Sequence, residues 1–189
     1  MEILVFIIII LISLTIHEFA HAKTADILGD PTPRLAGRMT LNPISHIDPI
    51  GFLALLIAKI GWAKPVPINH YNFKNPNNGL MMVGLAGPIS NILLAWVVAI
   101  ILKTVPLQDS FITGILSYAI WINLSLAVFN MLPIPPLDGS RMFTHLMPID
   151  WQVSLERYGF FILVMILLFP QSAFLIQGIV SFLYRLLMA

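Results

Sequence analysis

The chain has 189 residues, of which 58% are hydrophobic and only 10% charged, and its mean hydropathy is +0.90. That is the composition of an integral membrane protein, and the length leaves room for one compact membrane domain over residues 1–189 and no sizeable soluble one. A net charge of +1 gives no hint of nucleic acid. The absence of cysteine excludes disulfides, thiolate metal ligands and a cysteine nucleophile, so any metal must be held by His, Asp or Glu.

In chain order, an apolar run from Ile3 to Ile16 leads without a break into His17-Glu18-Phe19-Ala20-His21. On a helix the two histidines stand one turn apart, roughly 40° around the axis and ~6 Å along it, so both imidazoles can grip one metal ion. Glu18 is offset by roughly 80° from their mean direction, which suits a base acting on water better than a third ligand. This is the helix signature of zinc metalloproteases. An ordinary membrane anchor ending in interfacial residues is the plain alternative. Ionisable groups at a spanning segment cost several kcal/mol unless paired, ligated or hydrated, so three at ligand spacing favour the metal site. A signal peptide would begin with positive charge, whereas Glu2 is the only early charge, and cleavage near Ala22 would discard the motif; a retained span is expected.

Residues 23–49 hold charges, turn formers and prolines. Within them, 34–42 alternates weakly, and a short β-hairpin and an irregular loop are both open from pattern alone. Pro49 to Gly61, with Lys59 inside it, is too short for the ~20 residues of a span and reads as a re-entrant or interfacial segment. Prolines keep Gly61-Trp62-Ala63-Lys64-Pro65-Val66-Pro67-Ile68-Asn69 extended, and Trp62 and Lys64 suit the headgroup level.

Further spans are expected at Gly79–Leu102, Phe111–Leu132, Trp151–Phe169 and Ala173–Met188. About five transmembrane helices therefore make an all-α polytopic protein, with a catalytic core over about 1–142 and a C-terminal helical hairpin over about 151–188. Lys23, Arg34, Arg38, Lys59, Lys64 and Lys74 put the 23–79 segment on the cytoplasmic side, and the His17–His21 motif with it. Zinc held by two histidines needs at least one more protein ligand and an open position. Asp138, at the end of the third span, shares a membrane face with His21 only if an odd number of spans separates them, which agrees with 50–60 not crossing. Asp-Gly is a common turn pair, but Pro133, Pro135 and Pro136 break the helix ahead of it, and freed backbone near the bilayer must be buried or line a wet cavity. Asp26, Asp30, His46 and Asp48 are expected in a solvated loop, and His70 and His145 on the surface.

The His17–His21 motif followed by Asn130-Met131-Leu132-Pro133-Ile134-Pro135-Pro136-Leu137-Asp138-Gly139 resembles the site-2 protease family of intramembrane zinc metalloproteases. Ala86-Gly87-Pro88-Ile89-Ser90-Asn91 and Gly61-Trp62-Ala63-Lys64-Pro65-Val66-Pro67 match its short bacterial and archaeal branch, so the likeness covers roughly residues 10–142. The chain departs from larger relatives in lacking a PDZ or CBS module and any span before the motif helix. The resemblance implies a three-helix core that cuts a membrane-spanning substrate within or near the bilayer. It implies one zinc per chain, held by His17, His21 and Asp138, with Glu18 as catalytic base. The partners are then the lipid bilayer and a transmembrane helix of the substrate, which must unwind and which 34–42, if a strand edge, would hold by strand addition. Asn91 and Asn130 are amides in or near spans, open equally to helix-to-helix bonding and to substrate or oxyanion contact.

Three rival readings compete. A catalytically idle relative that chaperones membrane helices does not need the intact Glu18. A metal transporter calls for ionisable residues spread through several spans, whereas here they gather near one face. A protease taking its carboxylate ligand from Glu156 requires Glu156 to approach the motif.

Overall fold

The computed structural model describes residues 2–58, 61–143 and 147–189, so Lys59 and His145 lie outside the described residues. Five helices are long and apolar enough to cross a membrane: α1 (Glu2–Ile27), α4 (Pro76–Thr104), α5 (Ser110–Asn130), α7 (Ile149–Leu168) and α8 (Pro170–Met188). Shorter helices lie between them: α2 (Thr32–Leu35), α3 (Pro49–Ala58) and α6 (Ser140–Phe143). The protein is an all-α, multi-pass membrane protein. Among the described residues no sheet forms, and the extended pairing is one isolated antiparallel bridge, Ile47 to Ala63. At ten residues α3 is about 15 Å long, half of what a span requires.

The chain divides into two compact units, Met1–Gly87 and Pro88–Ala189. In the first, α1 is rich in β-branched isoleucine, a modest helix former in water; in lipid, where backbone groups must bond internally, the helix is the available answer. Its buried stripe advances in steps of four through Ile9, Ser13, His17, His21 and Ala25, while Ile3, Leu4, Ile8 and Ile12 stay exposed. The helix runs on through Lys23 and Asp26, both compatible with helix. It stops where Gly29 takes φ +106° and the Asp30 N–H reaches back 2.9 Å to the Ala25 carbonyl. The same closure recurs after α2, with Gly37 at φ +66° and the Arg38 N–H 2.8 Å from the Pro33 carbonyl. Of the two readings open for 34–42, the structure adopts the irregular one: the end of α2, a turn and a bend. α1 packs against α2 and against the 3-10 turn Pro43–His46, and Ala25, Phe73 and Val83 form a small core.

In the second unit, Ala95 and Ala99 of α4, Ile120 and Leu124 of α5 and Val180 of α8 make the core, with Trp121 stacked on Tyr184 at 5.5 Å between centroids. Small residues let these helices approach closely, which is the main source of attraction between helices in lipid. After α5 the chain folds back on itself. The Gly139 N–H donates to the Asn130 carbonyl at 2.6 Å, and a Cβ at Gly139 would stand 2.3 Å from the Met131 carbonyl oxygen. Asp138 is thus set in a tight, glycine-closed turn and is buried.

Candidate metal centre

His17 and His21 are each only 3% exposed, one turn apart on α1. Their rings meet edge to face with centroids 4.6 Å apart, and their Nε2 atoms stand 3.0 Å from each other. Two nitrogens bound to one tetrahedral zinc at 2.0–2.1 Å would be about 3.3 Å apart, so the pair needs only a few tenths of an ångström to hold that ion. The Val83 carbonyl lies 2.6 Å from His21 Nδ1. A carbonyl only accepts, so Nδ1 carries the proton and Nε2 presents its lone pair; a bond of this kind from the far ring nitrogen fixes the ring of a metal-binding histidine. Gly87 completes this wall. A Cβ there would come within 2.4 Å of His21 Nε2 and 2.6 Å of His17 Nε2, so the missing side chain leaves the space beside both donor atoms open.

Glu18, between the histidines, is buried, and its Oε2 accepts the Val66 N–H at 3.2 Å. In the second unit Asp138 is 8% exposed. His17 and His21 thus offer two buried imidazole donors, and Asp138 offers a buried carboxylate. Donor chemistry of two imidazoles and one carboxylate suits zinc.

Other candidates serve elsewhere. Asp26 pairs with Arg34 at 3.3 Å. Asp48 caps α3, accepting from Ile50 N at 3.0 Å and Gly51 N at 2.8 Å. Glu156 is exposed, and His70 is partly exposed beside Tyr71. Asp30 and His46, expected in solvated loop, are instead buried. Asp30 accepts from Thr32 N at 3.0 Å, Thr32 Oγ1 at 2.5 Å, Asn69 N at 2.7 Å and Asn72 Nδ2 at 2.7 Å. Burial pushes its carboxyl upward, but these bonds together outweigh burial and hold it below its ordinary value. His46 Nε2 lies 2.9 Å from the Thr40 carbonyl.

Asn91 and Asn130 are not alike. Asn91 is fully buried and donates to Asn123 Oδ1 at 2.9 Å. Asn130, partly buried, bonds the Leu126 carbonyl of its own helix at 2.9 Å. Val66, Val83 and Gly87 are the site residues that sequence reasoning missed. Two act through backbone groups and one through a missing side chain; the runs Gly61–Asn69 and Ala86–Asn91 contain Val66 and Gly87, and nothing in the sequence singles out Val83.

Residues 104–170 match peptidase family M50. Over 181 residues the chain is 38% identical to the candidate zinc metalloprotease YwhC of Bacillus subtilis, covering 90% of this chain and 83% of that one. It is 34% identical over 182 residues to the candidate zinc metalloprotease Rip2 of Mycolicibacterium smegmatis, covering 88% and 68%. Rip2 of Mycobacterium tuberculosis, named likewise, is 30% identical over 186 residues, covering 93% and 71%. No solved structure matches the chain significantly.

Proposed function

This chain belongs to peptidase family M50, the site-2 protease family, and we propose that it is an intramembrane zinc endopeptidase hydrolysing a peptide bond in or near a transmembrane segment of a membrane-protein substrate. The observation that carries the reading is the buried His17–His21 pair, its Nε2 atoms converging at 3.0 Å on a membrane-length helix with Glu18 between them. His17, His21 and Asp138 would hold one zinc per chain. Bound there, zinc would supply Lewis acidity, lowering the pKa of a water toward neutrality and polarising a carbonyl. Glu18 takes the proton from the attacking water and returns one to the leaving amine.

The substrate helix has its amides bonded internally and must unwind before a carbonyl can enter the site. The surplus of Lys and Arg between residues 23 and 74 supports a site at the cytoplasmic side. The Asn91–Asn123 bond supports helix packing for Asn91, while Asn130, at the end of α5 before the Asp138 turn, is assigned to substrate contact.

Glu18→Gln tests this directly, because it removes a base and no ligand. Purified Glu18→Gln should keep the zinc content of wild type while cleavage of a transmembrane substrate falls by about 10² or more. Turnover at the wild-type rate would overturn the role of Glu18.

A further inference from the structure

Gly61–Asn69 is an extended segment poor in donors. Pro65 and Pro67 carry no N–H, so Val66 supplies the only backbone donor between Lys64 and Ile68. That donor, on a residue 6% exposed, goes to Glu18 Oε2 at 3.2 Å. The segment is fastened on both sides of it. Upstream, the Lys64 N–H donates to the His46 carbonyl at 2.9 Å, the Lys64 carbonyl accepts from the Arg38 guanidinium, and Ala63 bridges to Ile47. Downstream, the Asn69 N–H donates to Asp30 Oδ2 at 2.7 Å.

Arg38 makes the arrangement informative. It is 7% exposed, and among the described residues its Nε makes no hydrogen bond. A buried guanidinium held by one carbonyl is costly, and what it accomplishes here is to pin Lys64, two residues from Val66.

We propose that residues 63–69 form a positioning strap for the catalytic base. The Val66 N–H fixes one carboxylate oxygen of Glu18 and leaves the other to meet the reacting water, while Arg38 and the His46 carbonyl keep the strap in register. This rests on the reading of Glu18 as base. A glutamate side chain otherwise samples many rotamers, and a base that must be within hydrogen-bond reach of one proton gains rate from being held in one. The alternation Pro-Val-Pro suits this role, since the flanking prolines stiffen the backbone and remove competing donors. Val66 and Arg38 are positioning residues, touching neither substrate nor metal.

The test replaces the Val66 amide by an ester, incorporating the corresponding hydroxy acid in the full-length protein, beside Arg38→Ala and Arg38→Lys. The expected result for the ester is a fall in kcat of about tenfold or more, with KM and zinc content as in wild type. Arg38→Ala should lower kcat in the same way, and Arg38→Lys should recover part of it. Amide exchange of the 61–69 peptide gives a reading independent of catalysis. Protection at Val66 should be lost in Glu18→Ala and kept in Glu18→Gln, which still offers an acceptor. Unchanged kcat in the ester, or unchanged protection in Glu18→Ala, would overturn the strap. If zinc-loaded wild type cleaves nothing, the protease reading fails, and the exchange arm still decides whether the strap holds Glu18.

Discussion

The two units bury polar groups for different ends. In Met1–Gly87 the buried set includes Ser13, Thr15, His17, Glu18, His21, Asp30, Arg38 and His46. In Pro88–Ala189 it is Asn91, Asn123, Asp138 and Ser140, set among helices that meet through Ala95, Ala99, Ile120, Leu124 and Val180. A chain whose outer surface faces lipid has its polar groups inside, where each must be bonded or ligated. On the proposed function the first unit's interior would hold the histidine pair, the base and the strap; the second shows close apolar packing and the Asn91–Asn123 amide pair. Single polar substitutions should therefore be severe in the first unit and mild in the second, with Asp138 as the exception.

That exception gives the largest predicted effect. Asp138→Ala should lose both activity and tight zinc, at a cost of several kcal/mol set against the ~10–16 kcal/mol scale of structural zinc sites. Asp26→Ala, Asp48→Ala and Glu156→Ala should keep the metal, since these groups serve an ion pair, a helix cap and an exposed surface. Elemental analysis after identical purification checks all four. Full zinc in Asp138→Ala would leave the second unit without a share in the chemistry.

Gly87→Ala comes next. The added methyl would press on both Nε2 atoms, closer than carbon and nitrogen can approach, so α1 or α4 must shift. Zinc affinity should fall by about 10–100-fold, the range seen when the support of metal ligands is disturbed. Zinc titration of the metal-free protein measures it, and wild-type affinity would remove Gly87 from the site wall.

Asp30→Asn sharpens the contrast through stability. Four donors converge on this carboxylate, and weakening that set should cost about 1–3 kcal/mol. Because the folded-state pKa is lowered, the charged form's contribution is complete above the unfolded value of about 3.9 and drains away as pH falls through the folded value. The difference in unfolding midpoint between wild type and Asp30→Asn should be full at pH 7 and narrow below about pH 4. A gap that widens in acid would contradict the assignment.

Asp30 also shows what the sequence conceals. The spans were legible because long apolar runs leave few alternatives, and His17, Glu18 and His21 were legible because their relation is local to one helix. Asp138 could be reached through the prolines that break the chain ahead of it. Asp30 and His46 were misplaced because a polar loop looks solvated, and two of the four donors that satisfy Asp30 arrive from 39 and 42 residues away. The inner stripe of α1 is invisible to hydropathy, since Ile9, Ser13, His17, His21 and Ala25 mix apolar and polar types.

The smallest effect belongs to the second unit's own polar pair. Asn91 Nδ2 donates to Asn123 Oδ1, and Asn123 Nδ2 turns back to the Ala119 carbonyl at 2.9 Å. A bond between amides in lipid sounds strong, because nothing outside can replace it. Yet the separated helices also find partners for their amides, and measured couplings of this kind average ~0.6 kcal/mol with a maximum near ~1.7. A double-mutant cycle of Asn91→Ala and Asn123→Ala, read by unfolding in mixed micelles, should give a coupling of about that size. Zinc content should be unchanged throughout, because the pair holds helices and no ligand. A coupling well above ~2 kcal/mol, or loss of zinc in either single variant, would tie these amides to the metal centre and erase the division of labour between the two units.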